Sequence, residues 1–220
     1  MPTELSASQQ RLLHSKIHVA EGAYAASGRA VQGRFASGWS AALQLARLLG
    51  GLPDAALAWW AAQPGGHLLL TSGDDGYRPS LAVDGEMRQG VACLPLGWVI
   101  ESNREGMAAA LRPLDHLLGC AGAEGRWLSD GGGITPRWAR IGGQIAGLFR
   151  LGYGESPASR QNPHAYLAEG LALALINRRR LNVNDPKLER LLFTSLLSDG
   201  FWQHFLAEGR GEGRGEGQAD

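Results

Sequence analysis

Three times in the second half of the chain an oxygen-bearing side chain stands directly before a proline: Thr135-Pro136, Asn162-Pro163 and Asp185-Pro186. The side-chain oxygen can accept a backbone N–H of the first helical turn, and the proline has no N–H to satisfy and already holds a helical φ. Each pair therefore marks a helix start. After the first, Trp138, Ile141, Ile145 and Leu148 line one face; the second predicts a helix through Ile176, and the third one ending near Gly200. Ser102 and Glu105 form a candidate capping box for an earlier helix running to Gly119.

The first 64 residues also read as helical. Leu13, Ile17, Ala20 and Tyr24 fall at helical spacing, as do Trp39, Ala42, Ala46 and Leu49 before Gly50 and Gly51. Pro53 and Asp54 open a third helix through Leu57 and Trp60, closed by Pro64, Gly65 and Gly66. Between the two helical parts lie runs with strand character: His67 to Thr71, Ser80 to Val83, and Val91 to Ile100. Their short links, Gly73 to Gly76 and Asp84-Gly85, predict a small, mostly antiparallel sheet, with Pro79 and Pro95 at strand starts or edges. The expected class is α+β, divided into an N-terminal helical region (1–64), a main domain (65–206) and a Gly/Glu/Arg tail (207–220) expected to be disordered.

Composition removes several function classes. Twenty-one basic and 21 acidic residues cancel, which argues against a dedicated binder of phosphate backbones. Two isolated cysteines, Cys93 and Cys120, support neither a disulfide scaffold nor a thiolate zinc site. No apolar run approaches the roughly 20 residues of a membrane span, and no secretory leader is legible, so a cytoplasmic location without a membrane partner is expected.

Four blocks carry a resemblance. They are Leu114-Asp115-His116-Leu117-Leu118-Gly119, the segment from Leu128 through Thr135-Pro136 and Trp138, Asn162 through Glu169, and Asp185-Pro186-Lys187-Leu188. Together, over roughly residues 97 to 205, they resemble the catalytic domain of anthrax-lethal-factor-like zinc metallopeptidases. The resemblance implies a zincin-like set of helices, one of which would carry a His-Glu-x-x-His motif whose imidazoles bind zinc and whose glutamate is the base. A later helix would supply a carboxylate ligand.

This chain departs from that pattern at every one of those positions. The places of the two histidines are taken by Ala108 and Arg112, that of the base by Ala109, and that of a carboxylate four residues before Glu169 by Ala165. Alanine has no lone pair to donate, and a guanidinium brings positive charge where a cation would sit. The resemblance thus implies a frame kept without its metal. Pro113, inside the same helix, removes one backbone hydrogen bond. Arg112 is expected either to pair with Glu169, replacing the charge of the ion, or to lie exposed beside a solvated Glu169.

Other residues admit two readings. His14 and His18, four apart and followed by Glu21, could offer ligands from one helix face or be plain surface histidines; His116 and His164 could rebuild a metal site with Asp115 or Glu169, or serve the core. Arg178, Arg179 and Arg180 are expected at the C-terminus of the Asn162 helix, facing its dipole. Gly131 to Gly133 and Gly142-Gly143 lack a phosphate-loop context, and read as a turn and a close helix contact. Trp59 and Trp60 point about 100° apart on a helix, so one can be core and the other an interface anchor, and Trp98 is expected on a strand that could hold a partner. The resulting expectation is a pseudoenzyme with no cofactor that binds a protein partner. A peptidase with a rearranged metal site and a nucleic-acid-associated protein are the alternatives.

Overall fold

The computed structural model describes residues 4–101 and 104–211, and over them the chain is α+β. The N-terminal part holds α1 (Ala7–Lys16), β1 (Ile17–Val19), α2 (Ala23–Ala26), α3 (Arg29–Arg34), α4 (Gly38–Leu49) and α5 (Asp54–Ala62). Then come β2 (His67–Thr71), β3 (Gly76–Val83), β4 (Glu86–Pro95), α6 (Leu96–Glu101) and α7 (Arg104–Cys120). The last third contains α8 (Pro136–Phe149), α9 (Pro157–Gln161), α10 (Pro163–Ile176), α11 (Arg178–Asn184), α12 (Pro186–Thr194) and α13 (Asp199–Gly211).

The cap-proline pairs act as expected. The Thr135 hydroxyl accepts the Trp138 N–H, Asn162 Oδ1 those of His164 and Ala165, and Asp185 Oδ1 that of Leu188. Ser102 lies outside the described residues. Pro113 sits inside α7, which nevertheless runs unbroken to Cys120.

The sheet corrects the expected pairing. Its order is β1-β2-β4-β3, with β1–β2 and β2–β4 parallel and only β3–β4 antiparallel. Asp84 and Gly85 both take positive φ, the backbone of a two-residue hairpin, and join β3 to β4 as read. The short link from β2 does not make β3 its neighbour, because burial decides the order. β2 is buried along its whole length and β4 over Gly90–Leu94, whereas β3 is mostly exposed. The apolar strand takes the centre, and polar β3 with Pro79 becomes an edge.

Several boundaries also move. The first helix stops at Lys16, and the β-branched pair Ile17 and Val19 forms a strand with β2, so the helical reading through Tyr24 fails and the N-terminal part joins the sheet. Trp98 lies on α6, not on a strand. The Asp185 helix ends at Thr194, short of Gly200. Arg178–Arg180 open α11 rather than close α10, and Arg178 and Arg180 are neutralised by Glu189 and Glu155. Residues 207–211, expected to be disordered, continue α13; 212–220 lie outside the described residues.

Alternation along the strands separates two apolar faces. Leu68, Leu70, Ala92 and Leu94 enter the main core, which runs from Leu12 to Phe205 and includes Trp60, Trp138 and Trp202. Leu69, Val83, Val91 and Cys93 form a small cluster on the opposite face.

Candidate functional site

α7 and α10 pack against one another, and the side chains singled out in the sequence meet along their junction. Ala108, Ala109, Arg112, Ala165 and Glu169 all line one cleft of about 480 Å³. Trp98 from α6, Ser156 to Ala158 at the start of α9, and Asp75-Gly76 at the start of β3 complete its wall with Arg104, Glu105 and Ala168. The volume falls in the range of small-ligand and peptide sites.

Arg112 and Glu169 share this cleft without pairing, which corrects the first expectation. They are not solvated surface groups either: both are partly buried. Glu169 Oε1 accepts the Ser156 hydroxyl at 2.6 Å, while Glu169 Oε2 and Arg112 Nε are buried and have no hydrogen-bond partner among the described residues. A buried polar atom left unpaired costs about 1–3 kcal/mol. The other charges at the rim are arranged differently. Arg104 Nη1 lies 3.0 Å from Glu155 Oε1, which Arg180 also engages.

The donor set does not suit the zinc that the family resemblance implies. Where two imidazoles and a base would stand, Ala108, Arg112 and Ala109 offer no neutral nitrogen or carboxylate, and Ala165 stands in place of the carboxylate ligand, with Glu169 one turn further on. Among the described residues no three His, Cys, Asp or Glu side chains gather as a metal site would require.

The histidine pairs come apart for different reasons. His14 stands on α1 against Trp39, whereas His18 is on β1 with Nε2 3.1 Å from His67 Nδ1 and Nδ1 3.6 Å from Asp84. Glu21 lies apart from both, lining an open hollow against the sheet with Arg78 and Cys93. His116 and His164 sandwich Trp127, with ring centroids at 4.7 and 4.1 Å and the second pair 4° from parallel. His116 Nε2 lies 3.0 Å from Ala123 O and Nδ1 meets the Tyr77 hydroxyl, so both ring nitrogens serve the core. Burial lowers its pKa and raises that of Tyr77, shifts that favour the neutral form of each. His164 Nε2 lies 2.7 Å from Asp130 Oδ2.

Sequence reasoning missed the latch beneath this stack. Asp115, fully buried in α7, accepts both the N–H and the hydroxyl of Ser129 and thereby seats the turn at Leu128–Asp130. Burial raises the Asp115 pKa to about 7 against the pull of those two bonds. The signal was an aspartate among apolar neighbours, two residues beyond Pro113. Nothing in the sequence pointed to Lys16, also buried, whose pKa falls to about 8 through burial and the nearby Arg88 charge.

Of the tryptophans, Trp60 is wholly buried and donates to Gly66 O at 2.8 Å, and Trp59 is partly covered by Trp202 and Phe205. Trp98 alone of the three lines the cleft. No described helix is long and apolar enough to cross a membrane. Comparison with known protein families, curated proteins and solved structures finds no match to this chain.

Proposed function

We propose that the protein is a non-catalytic, zincin-like relative of lethal-factor-like metallopeptidases that acts in the cytoplasm by binding another protein in the cleft between α7 and α10. One observation carries this reading: the four positions at which the sequence departs from the metallopeptidase pattern, Ala108, Ala109, Arg112 and Ala165, line a single cleft together with Glu169, and none presents a metal-binding imidazole. The alanines leave room where ligating side chains would stand. Arg112 and Glu169 add two charges whose unpaired atoms await a partner. The balanced charge of the chain and the three carboxylates at the cleft, Asp75, Glu105 and Glu169, favour a protein over a nucleic acid.

The test is site-specific photo-cross-linking. A benzophenone side chain placed at Glu105, exposed at the rim of the cleft, in the full chain should trap one polypeptide that the same group at exposed Val183 does not. That partner, purified, should bind the unmodified protein and lose binding to Ala109→Trp, in which the cleft is filled. Equal capture from both positions, stoichiometric zinc in the untagged protein, or peptide cleavage that survives repurification overturns the reading.

A further inference from the structure

The two orphaned atoms of the cleft differ in kind, and the difference specifies a ligand. Among the described residues, Arg112 Nε is a cationic donor without an acceptor, and Glu169 Oε2 an anionic acceptor without a donor. They line the same cavity but are not joined to one another. A molecule that satisfies both must carry negative charge for the guanidinium and, close by, an N–H for the carboxylate. Between these groups the walls are Ala108, Ala109, Ala165 and Ala168, which allow a backbone to approach and supply only apolar contact.

Resting on the binding role proposed above, we propose that the cleft captures the C-terminus of a partner polypeptide, with Arg112 taking the terminal carboxylate and Glu169 the N–H of the last peptide bond. The free end of a chain presents these two groups side by side, and a guanidinium can hold a carboxylate through two parallel bonds. The backbone of an internal stretch offers Arg112 only neutral carbonyls, and an Asp or Glu side chain carries its carboxylate away from the backbone N–H that Glu169 would accept. Phosphate fits worse, because a dianion would face Asp75, Glu105 and Glu169 with Arg112 the one cleft arginine outside an ion pair among the described residues, Arg104 already being held by Glu155. A volume of about 480 Å³ also exceeds what a single small amino acid fills.

The experiment uses the full chain and two synthetic hexapeptide libraries of identical composition, attached through their N-termini. One ends in free carboxylates and the other in carboxamides. The protein should select from the free-acid library, and the amide of any selected peptide should bind at least tenfold more weakly. With Arg112→Ala the preference for acid over amide should vanish, whereas Arg112→Lys should keep part of it. Methylating the last peptide nitrogen should weaken binding to the unmodified protein and matter little to Glu169→Gln. Thermal melting of each variant confirms that it is folded.

Equal binding of acids and amides, or an acid preference that survives in Arg112→Ala, overturns the terminal-carboxylate assignment while leaving the cleft as a protein-binding site. Competition by free alanine as strong as by the hexapeptides overturns the assignment to a polypeptide. No selection from either library, together with no partner trapped at Glu105, removes both readings.

Discussion

Asp115 accepts two hydrogen bonds from Ser129, 2.8 Å from its backbone N–H and 2.6 Å from its hydroxyl, at a point where neither residue meets solvent. The pair ties α7 to the turn that carries Trp127 and Asp130. Truncation by Asp115→Ala leaves both Ser129 donors buried and unsatisfied and should cost roughly 2–4 kcal/mol. Asp115→Asn keeps an acceptor for the N–H and should cost about 1 kcal/mol. Urea unfolding at pH 5, where the wild-type carboxyl is protonated, measures both; a loss below 0.5 kcal/mol for Asp115→Ala, in the range of ordinary surface substitutions, would count against the latch.

Two buried groups give pH dependences of opposite sign. The Asp115 pKa, raised by burial to about 7, means that the folded state holds this proton more tightly than the unfolded chain, so its contribution is full below about pH 4 and is lost as pH rises through 7. His67 is pushed down to about 4 by burial and the Lys16 charge, so the unfolded chain binds its proton more tightly and stability falls as pH drops from 6.5 to 4. The two effects oppose each other between pH 4 and 6.5. Asp115→Asn should therefore make the rise of stability with pH steeper across that window, and His67→Asn should make it shallower. Each change is bounded at about 1.4 kcal/mol per pH unit, the slope of one proton. His18 and His116, also lowered by burial, act in the same direction as His67. Stability curves at half-unit intervals, with unchanged slopes in either variant as the contrary result, decide the matter.

Adjacent glycines in α8 should respond oppositely to the same change. A Cβ at Gly142 would stand 2.2 Å from Gly132 O and 2.8 Å from Leu128 O, both backbone atoms that cannot swing away. One at Gly143 meets nothing within 4 Å. Gly142→Ala should lower stability by about 3 kcal/mol or more, as overpacking against fixed atoms does, while Gly143→Ala should raise it by up to about 1 kcal/mol through helix propensity. Thermal denaturation of the two variants tests the contrast, and equal shifts would refute it.

Binding groups kept in a cleft without partners are held at the expense of stability. Arg112→Met removes a buried unpaired donor while retaining much of the apolar stem, and Glu169→Gln preserves an acceptor for Ser156. Both variants should be as stable as the wild type or more so, within about 1 kcal/mol. Because no ion pair joins the two residues, their effects should add in the double variant to within about 0.5 kcal/mol. Destabilisation by more than 1 kcal/mol in either single variant, or a large coupling term, would show an interaction between them.

How much of this was legible in the sequence depended on whether the signal was local. Cap-proline pairs and the Asp84-Gly85 turn are set by neighbours in the chain and could be read directly. Ala108, Ala109, Arg112, Ala165 and Glu169 stand out in the sequence only through the resemblance, and composition or spacing alone does not bring them to one cleft. Strand order was hidden, because it turns on which of β3 and β4 has more apolar surface to bury, a competition across the whole sheet. The expected His14/His18 pair failed because two β-branched residues on either side of His18 outweighed helical spacing. That Arg112 and Glu169 remain apart, and that Asp115 meets Ser129, depend on tertiary geometry that no spacing encodes.

The parallel pairing of β1 with β2 binds the front of the chain into the same sheet as its middle. A version beginning near residue 65 would leave the Leu68–Leu70 backbone of β2 as a bare margin, open to recruitment by any extended segment nearby. The first third of the sequence is thus no detachable module. Fragments that omit it should clump, and the cleft is best studied in the uncut chain.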